Sequence, residues 1–154
     1  MTTRLHVSRS DKLARVIDKR EYRNQRVSDK PVGFWWGVGN AWMKWCETEQ
    51  WRVGGHVYML DIDDTRLCRI SGYKKFDAFH ERFRAPLYSS GGQYYINWPA
   101  VAEEWDGIEI APYLWQRRLG HETRWYYGWD CASGVTWRPR KVIRGIEYVK
   151  EWSA

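Results

Sequence analysis

Between His56 and Ile62 the apolar residues Tyr58, Leu60 and Ile62 alternate onto one side of an extended chain, which predicts a strand. Asp63-Asp64 is a turn signal before a second run, Leu67–Ile70, expected to pair with the first. Arg4–Ser8 is another short strand-like run. Ser10-Asp11 then opens a helix over 10–19, with Leu13, Val16 and Ile17 at helical spacing. Residues 20–31 are charged, lack a consistent apolar period and end in Lys30-Pro31, so they read as a connection. Gly33–Val38 is an aromatic strand that feeds straight into a helix over 40–49, with Asn40 as its cap and Trp42, Trp45 and Cys46 on one face.

The period lengthens after Ile70. Tyr73, Phe76, Phe79, His80 and Phe83 recur as on one side of a helix, so 73–84 is expected to pack an aromatic face into the core. Ser89–Gly92 reads as a flexible loop. Asn97 caps a helix over 98–104, with Pro99 tolerated in its first turn, and Asp106-Gly107 turns the chain into a strand, Ile108–Ala111, stopped by Pro112. After a polar loop around Gly120-His121-Glu122, strands are expected at Trp125–Trp129, at Val135–Trp137 and over the tail Val142–Val149. Strands and helices are interspersed without steady alternation. The expected fold class is therefore α+β: one domain over 1–154, with two small, mainly antiparallel sheets around a cleft and helices on the flanks.

Twelve tryptophans change this picture most. Each indole has a large apolar face and one N–H in need of a partner, so the chain builds either a stiff aromatic core or a flat-sided pocket. Apolar residues make up 44% and charged residues 29%, and no apolar run approaches the ~18 residues of a membrane span, so no membrane partner is expected. The N-terminal stretch lacks the apolar segment of a signal peptide, and the expected location is the cytoplasm. Cys46, Cys68 and Cys131 are far apart, without a C-x-x-C pair, and read as reduced, packed thiols.

The net charge of +6 is uneven: residues 1–30 hold nine Lys and Arg against four acids, and Arg138, Arg140, Lys141 and Arg144 make the C-terminal stretch basic again. Such a surface either suits an acidic partner or simply keeps the protein soluble. Several chemistries are unsupported. There is no G-x-G-x-x-G before a helix and no phosphate loop; Gly37-Val38-Gly39 lacks the further glycine and the lysine. His6, His56, His80 and His121 lack the spacing of a metal centre, and none is paired with an evident nucleophile motif.

The order of the parts resembles the ADP-ribosyltransferase superfamily. The first strand with His6 and Ser8, the strand Gly33-Phe34-Trp35-Trp36 and the helix ending in Trp45-Cys46 are similar to the front half of its poly(ADP-ribose) polymerase branch. Asp106-Gly107-Ile108, a loop and a late strand with Trp137-Arg138-Pro139 look like the back half of bacterial and phage members, and Asp106–Tyr113 with Trp125–Asp130 is similar to segments of uncharacterised phage proteins. The resemblance implies NAD as substrate and transfer of ADP-ribose to a host protein or nucleic acid. It also implies that His6 bonds a ribose hydroxyl, that Ser8 or the neighbouring backbone helps position the nicotinamide side, and that Trp35 or Trp36 lines the ring slot. Arg4 is an alternative anchor, matching the first-strand arginine of the toxin-like branch. Breaking the nicotinamide–ribose bond creates an oxocarbenium-like centre that needs a carboxylate nearby. Two acids are candidates: Glu109, within an otherwise apolar strand, and Asp130, between Trp129 and the turn Cys131–Gly134. Each has a simpler alternative, Glu109 as an exposed residue and Asp130 as a turn acid. Two other classes stay open, a noncatalytic nucleic-acid or nucleotide binder and a carbohydrate-binding platform.

Overall fold

In chain order, the elements are β1 (Arg4–Ser8), α1 (Leu13–Ile17), β2 (Val27–Ser28), β3 (Phe34–Val38), α2 (Ala41–Thr48), β4 (Gly54–Ile62), β5 (Leu67–Ile70) and α3 (Tyr73–Phe83). Then follow β6 (Arg84–Pro86), β7 (Tyr94–Asn97), α4 (Trp98–Glu104), β8 (Gly107–Ile110), α5 (Trp115–Arg118), β9 (Ser133–Thr136), α6 (Pro139–Val142) and β10 (Ile143–Ser153). The computed structural model describes residues 2–17, 20–86 and 91–154. The Val16 side chain, the expected end of the first helix at 18–19 and the first half of the expected Ser89–Gly92 loop lie outside the described residues. No helix among those described is long and apolar enough to cross a membrane.

Seven strands form one sheet in the order β10-β4-β1-β3-β9-β8-β5, and β2-β7-β6 form a second of three strands. The protein is thus mixed α and β, but its sheets are unequal rather than both small. All pairings are antiparallel except β5 with β8. The expected pairing of β4 with β5 does not occur. β4 lies between β1 and β10, while β5 sits at the far edge beside β8, so the Asp63-Asp64 turn carries the chain across the sheet rather than into a hairpin.

Two apolar layers cover the large sheet. Ile108, Ile110 and Val135 pack with the aromatic face of α3 and with Trp98, Trp125, Tyr126 and Trp129 in one cluster. Leu13, Phe34, Trp36, Tyr58, Leu60, Ile62 and Val142 make the other. β8 and β9 are consequently buried at every position. Within the first layer Phe76 stacks on Trp125 with ring centres 5.1 Å apart. The Asn97 side chain accepts from Ala100 N at 3.2 Å and caps α4 as expected, whereas Asn40 precedes α2 without a side-chain bond. In place of the strand expected at Trp125–Trp129 there is a 3-10 helix, Arg124–Gly128, because Trp125, Tyr126 and Trp129 all turn inward to the same aromatic cluster.

The geometry that matters for function lies at β1. It pairs with β3 only through Arg4–Val38 and Leu5–Gly37, and beyond that point the two strands part. On its other side β1 stays zipped to β4 from Leu5 to Ser8.

Candidate functional site

Where β1 and β3 part, a cavity of about 360 Å³ opens, lined by Leu5–Val7, Lys30, Pro31, Trp35–Gly37, Trp42 and Gly128–Cys131 with Ser133. This volume lies at the lower end of the range for small-molecule sites, roughly 300–1,000 Å³.

His6 occupies the gap in the ladder. Its Nδ1 lies 2.6 Å from the Trp35 carbonyl oxygen, which can only accept, so Nδ1 carries the proton and Nε2 is left as an acceptor. The ring also stacks on Phe34, with centres 4.1 Å apart. Burial pulls the imidazole pKa below its ordinary value, against the opposing effect of the carbonyl bond, so His6 is neutral at pH 7.

Four indoles wall the space. Trp35 meets Trp129 edge to face at 4.9 Å, and the Lys30 ammonium lies 5.6 Å from the centre of the Trp35 ring. Trp42 rests against Gly37, where an added Cβ would come 3.0 Å from the Trp42 Cβ, and stacks outward on Trp45 at 5.2 Å. Trp36 is buried, and its Nε1 donates to Glu109 Oε2 at 2.9 Å. Both Trp35 and Trp36 line the cavity although successive residues of a strand point to opposite faces, because the parted strands expose the edge of the sheet.

Asp130 lines the same space. Burial raises its pKa, opposed by the positive charges of Lys30 and Arg118 and reinforced by Glu49. Cys131 beside it is pushed up to about 12, chiefly by burial, so it is a thiol rather than a nucleophilic thiolate at neutral pH. Among the described residues, no group of three or more His, Cys, Asp or Glu is placed to hold a metal ion.

Glu109 has a different place. It is 2% exposed, and Arg4 grips it from two nitrogens, Nε to Oε2 at 2.6 Å and Nη2 to Oε1 at 2.9 Å. Asp64 accepts from Arg4 at 3.3 Å, and Arg69 approaches Glu109 at 3.7 Å. Neither Glu109 nor Arg4 lines the cavity. The alternation that suggested an exposed Glu109 is real, but its polar side faces the second apolar layer instead of solvent, and a carboxylate there requires a partner. Ser8 also lies outside the cavity: its Oγ accepts from Ser10 N at 3.0 Å and shapes the turn after β1.

The sequence-selected residues His6, Trp35, Trp36 and Asp130 therefore share one cavity, and Arg4, Glu109 and Ser8 do not belong to it. Lys30, Trp42 and Cys131 line it without having been singled out for it. For Trp42 the helical spacing with Trp45 and Cys46 marked a packed face but not its ligand side. Lys30 gave no signal beyond ending a charged connection.

Fold and site together define a mixed α/β protein with an aromatic-walled cavity carrying one carboxyl, one amine and one neutral imidazole. No protein-family model, no curated protein and no solved structure matches the chain.

Proposed function

We propose that the cavity binds the nicotinamide end of NAD and that the protein transfers ADP-ribose to an acceptor. The observation that carries this reading is Asp130 sharing an indole-walled cavity with a neutral His6 whose Nε2 is an acceptor. Oxidised nicotinamide is a flat, positively charged ring, and electron-rich indole faces attract such a ring more strongly than its neutral reduced form. Lys30 supplies a counter-charge for the pyrophosphate, and His6 Nε2 accepts from a ribose hydroxyl. The resemblance read from the sequence points to the same substrate.

In this reading the bond between ribose C1′ and the nicotinamide nitrogen breaks and its electron pair leaves with neutral nicotinamide. Ionised Asp130 stabilises the positive charge on the ribosyl group. An acceptor oxygen or nitrogen then bonds to C1′ and releases its proton to Asp130. Burial works against the ionised form of Asp130, so Lys30, Arg118 and the cationic ligand are what favour it at the moment of reaction.

Nicotinamide release and thermal shift test the proposal. NAD should raise the melting temperature more than its reduced form does. Asp130→Asn should lower turnover about a hundredfold, equivalent to roughly 2.7 kcal/mol of transition-state stabilisation, with a much smaller change in NAD affinity. Failure of NAD to bind under any condition would end the reading.

A further inference from the structure

The chain from Pro112 to Trp129 is fixed on its inner side and unusual on its outer side. Leu114, Thr123, Trp125, Tyr126 and Trp129 are buried, Leu114 N donates to Tyr126 Oη at 3.1 Å, and Thr123 Oγ1 donates to the Arg117 carbonyl at 2.8 Å. Anchored this way, the segment holds Trp115 64% exposed and Tyr127 46% exposed. The Arg118 guanidinium lies 5.8 Å from the Trp115 ring centre and 5.1 Å from that of Tyr127, and the Arg124 guanidinium lies 5.4 Å from Tyr127. The result is an indole, a guanidinium, a phenol and a second guanidinium in succession on one surface.

The arginines of this surface differ in how they are held. Arg117 points elsewhere and is held by both oxygens of Asp77 at 2.8 Å. Among the described residues, Arg118 and Arg124 form no ion pair. Scattered exposed aromatics are ordinary, and scattered exposed arginines are too. Two aromatics interleaved with the exposed Arg124 and the half-buried Arg118, held on a buried base, combine a stacking platform with phosphate-sized cationic sites.

The geometry points to single-stranded nucleic acid as the occupant of this ledge, with bases stacked on Trp115 and Tyr127 and phosphates on Arg118 and Arg124. Stacking on an indole needs an unpaired base, which a duplex does not offer, and planar guanidinium groups suit phosphate better than uncharged sugars. Tyr127 adjoins Gly128, which lines the cavity together with Asp130, so the ledge abuts the Asp130 side of the cavity. The inference stands whether or not the cavity takes NAD, and its test contains no NAD.

Fluorescence anisotropy with a labelled single-stranded oligothymidylate of about 12 nucleotides measures the affinity, and a duplex of equal length is the comparison. Trp115→Ala should weaken single-strand binding about tenfold or more, in keeping with ~1–3 kcal/mol per stacked base. Arg124→Gln should weaken it and flatten the dependence of log K on log salt by about 0.7, since one phosphate fewer is neutralised. Arg9→Gln removes the same charge from an exposed site after β1 and should change affinity less than about twofold, because Arg9 lies outside the ledge. Tyr127→Leu provides a second stacking variant, and near-ultraviolet circular dichroism checks that each variant is folded. The inference is overturned if no oligonucleotide binds at low salt, if the duplex binds as tightly, or if Arg9→Gln costs as much as the ledge variants.

Discussion

Glu109 and Asp130 both lie beside indoles, yet one is tied down and the other is not. Glu109 accepts from Arg4 and Trp36 with almost no access to water, so Glu109→Gln keeps the shape but leaves the buried guanidinium with only the more distant, part-exposed Asp64 as counter-charge. Breaking such a pair costs about 3–5 kcal/mol, whereas replacing both members with apolar residues is often neutral. The urea midpoint of Glu109→Gln should fall accordingly, and Arg4→Met with Glu109→Leu should recover only part of the loss, because the buried Trp36 N–H then lacks its acceptor. For Asp130 the sign is opposite. Burial raises its pKa in the folded state, so the folded chain holds this proton more tightly than the unfolded one, and stability falls as pH rises from the ordinary carboxylate value through the raised one. Asp130→Asn should therefore be more stable than the natural protein at pH 7 and lose that advantage below about pH 4, the ordinary carboxylate range. A variant no more stable at pH 7 would show that Lys30 and Arg118 already offset the cost of burial. His6 has its pKa lowered by burial, so the unfolded chain takes up that proton first, and stability declines as pH falls below about 6.5. His6→Asn should flatten this limb of the stability profile.

At the scale of elements, the cavity depends on how closely β3 and β9 approach. Trp36 pairs with Gly134, where an added Cβ would run into the Trp36 ring atoms Cε2, Cζ2 and Nε1. That ring is held on its other side by Glu109, so it has little room to yield. Gly134→Ala should destabilise the fold by about 1–3 kcal/mol, the usual cost of overpacking, and weaken ligand binding as Trp36 shifts. Circular dichroism melts read the first effect and NAD titration the second; an unchanged melt would mean that β9 can move away from β3. The helices were largely legible in the sequence because their apolar spacing is strong: 73–84 and 98–104 match α3 and α4 almost to the residue. Pairing was less legible. Nothing in Asp63-Asp64 distinguishes a hairpin turn from a crossing, and β5 found its partner in β8, about forty residues later. Trp125–Trp129 misled for a physical reason, since a run that is aromatic throughout has no period, and the 3-10 turn allows three of its rings to face one cluster. The site was half legible: Asp130 and Trp35 follow from their neighbours, but the roles of Lys30 and Trp42 depend on where β1 and β3 part.

Across the whole molecule, the twelve tryptophans divide between the two uses expected of them, and their indole N–H groups provide a direct readout. Trp36 donates to Glu109 beneath the cavity, Trp98 to the Ser28 carbonyl and Trp137 to the Trp105 carbonyl. These bonds join β3 to β8, α4 to β2, and the chain after β9 to the end of α4, so releasing any of them requires large parts of the structure to open together. Trp51 and Trp115 are 56% and 64% exposed and tie nothing together. Hydrogen exchange followed by NMR should therefore give two populations, with the N–H protons of Trp36, Trp98 and Trp137 exchanging only through global unfolding and those of Trp51 and Trp115 exchanging at nearly the rate of free indole. Adding NAD at about a hundred times its Kd should slow the first group by about a hundredfold, the kinetic equivalent of roughly 2.7 kcal/mol, and leave the second unchanged. If Trp36 instead exchanges much faster than Trp98 and Trp137, the cavity opens locally without the rest of the fold. The parting of β1 and β3 would then be a hinge rather than a fixed gap, and the Glu109–Arg4 pair could not be the strut that its burial and its two-pronged geometry indicate.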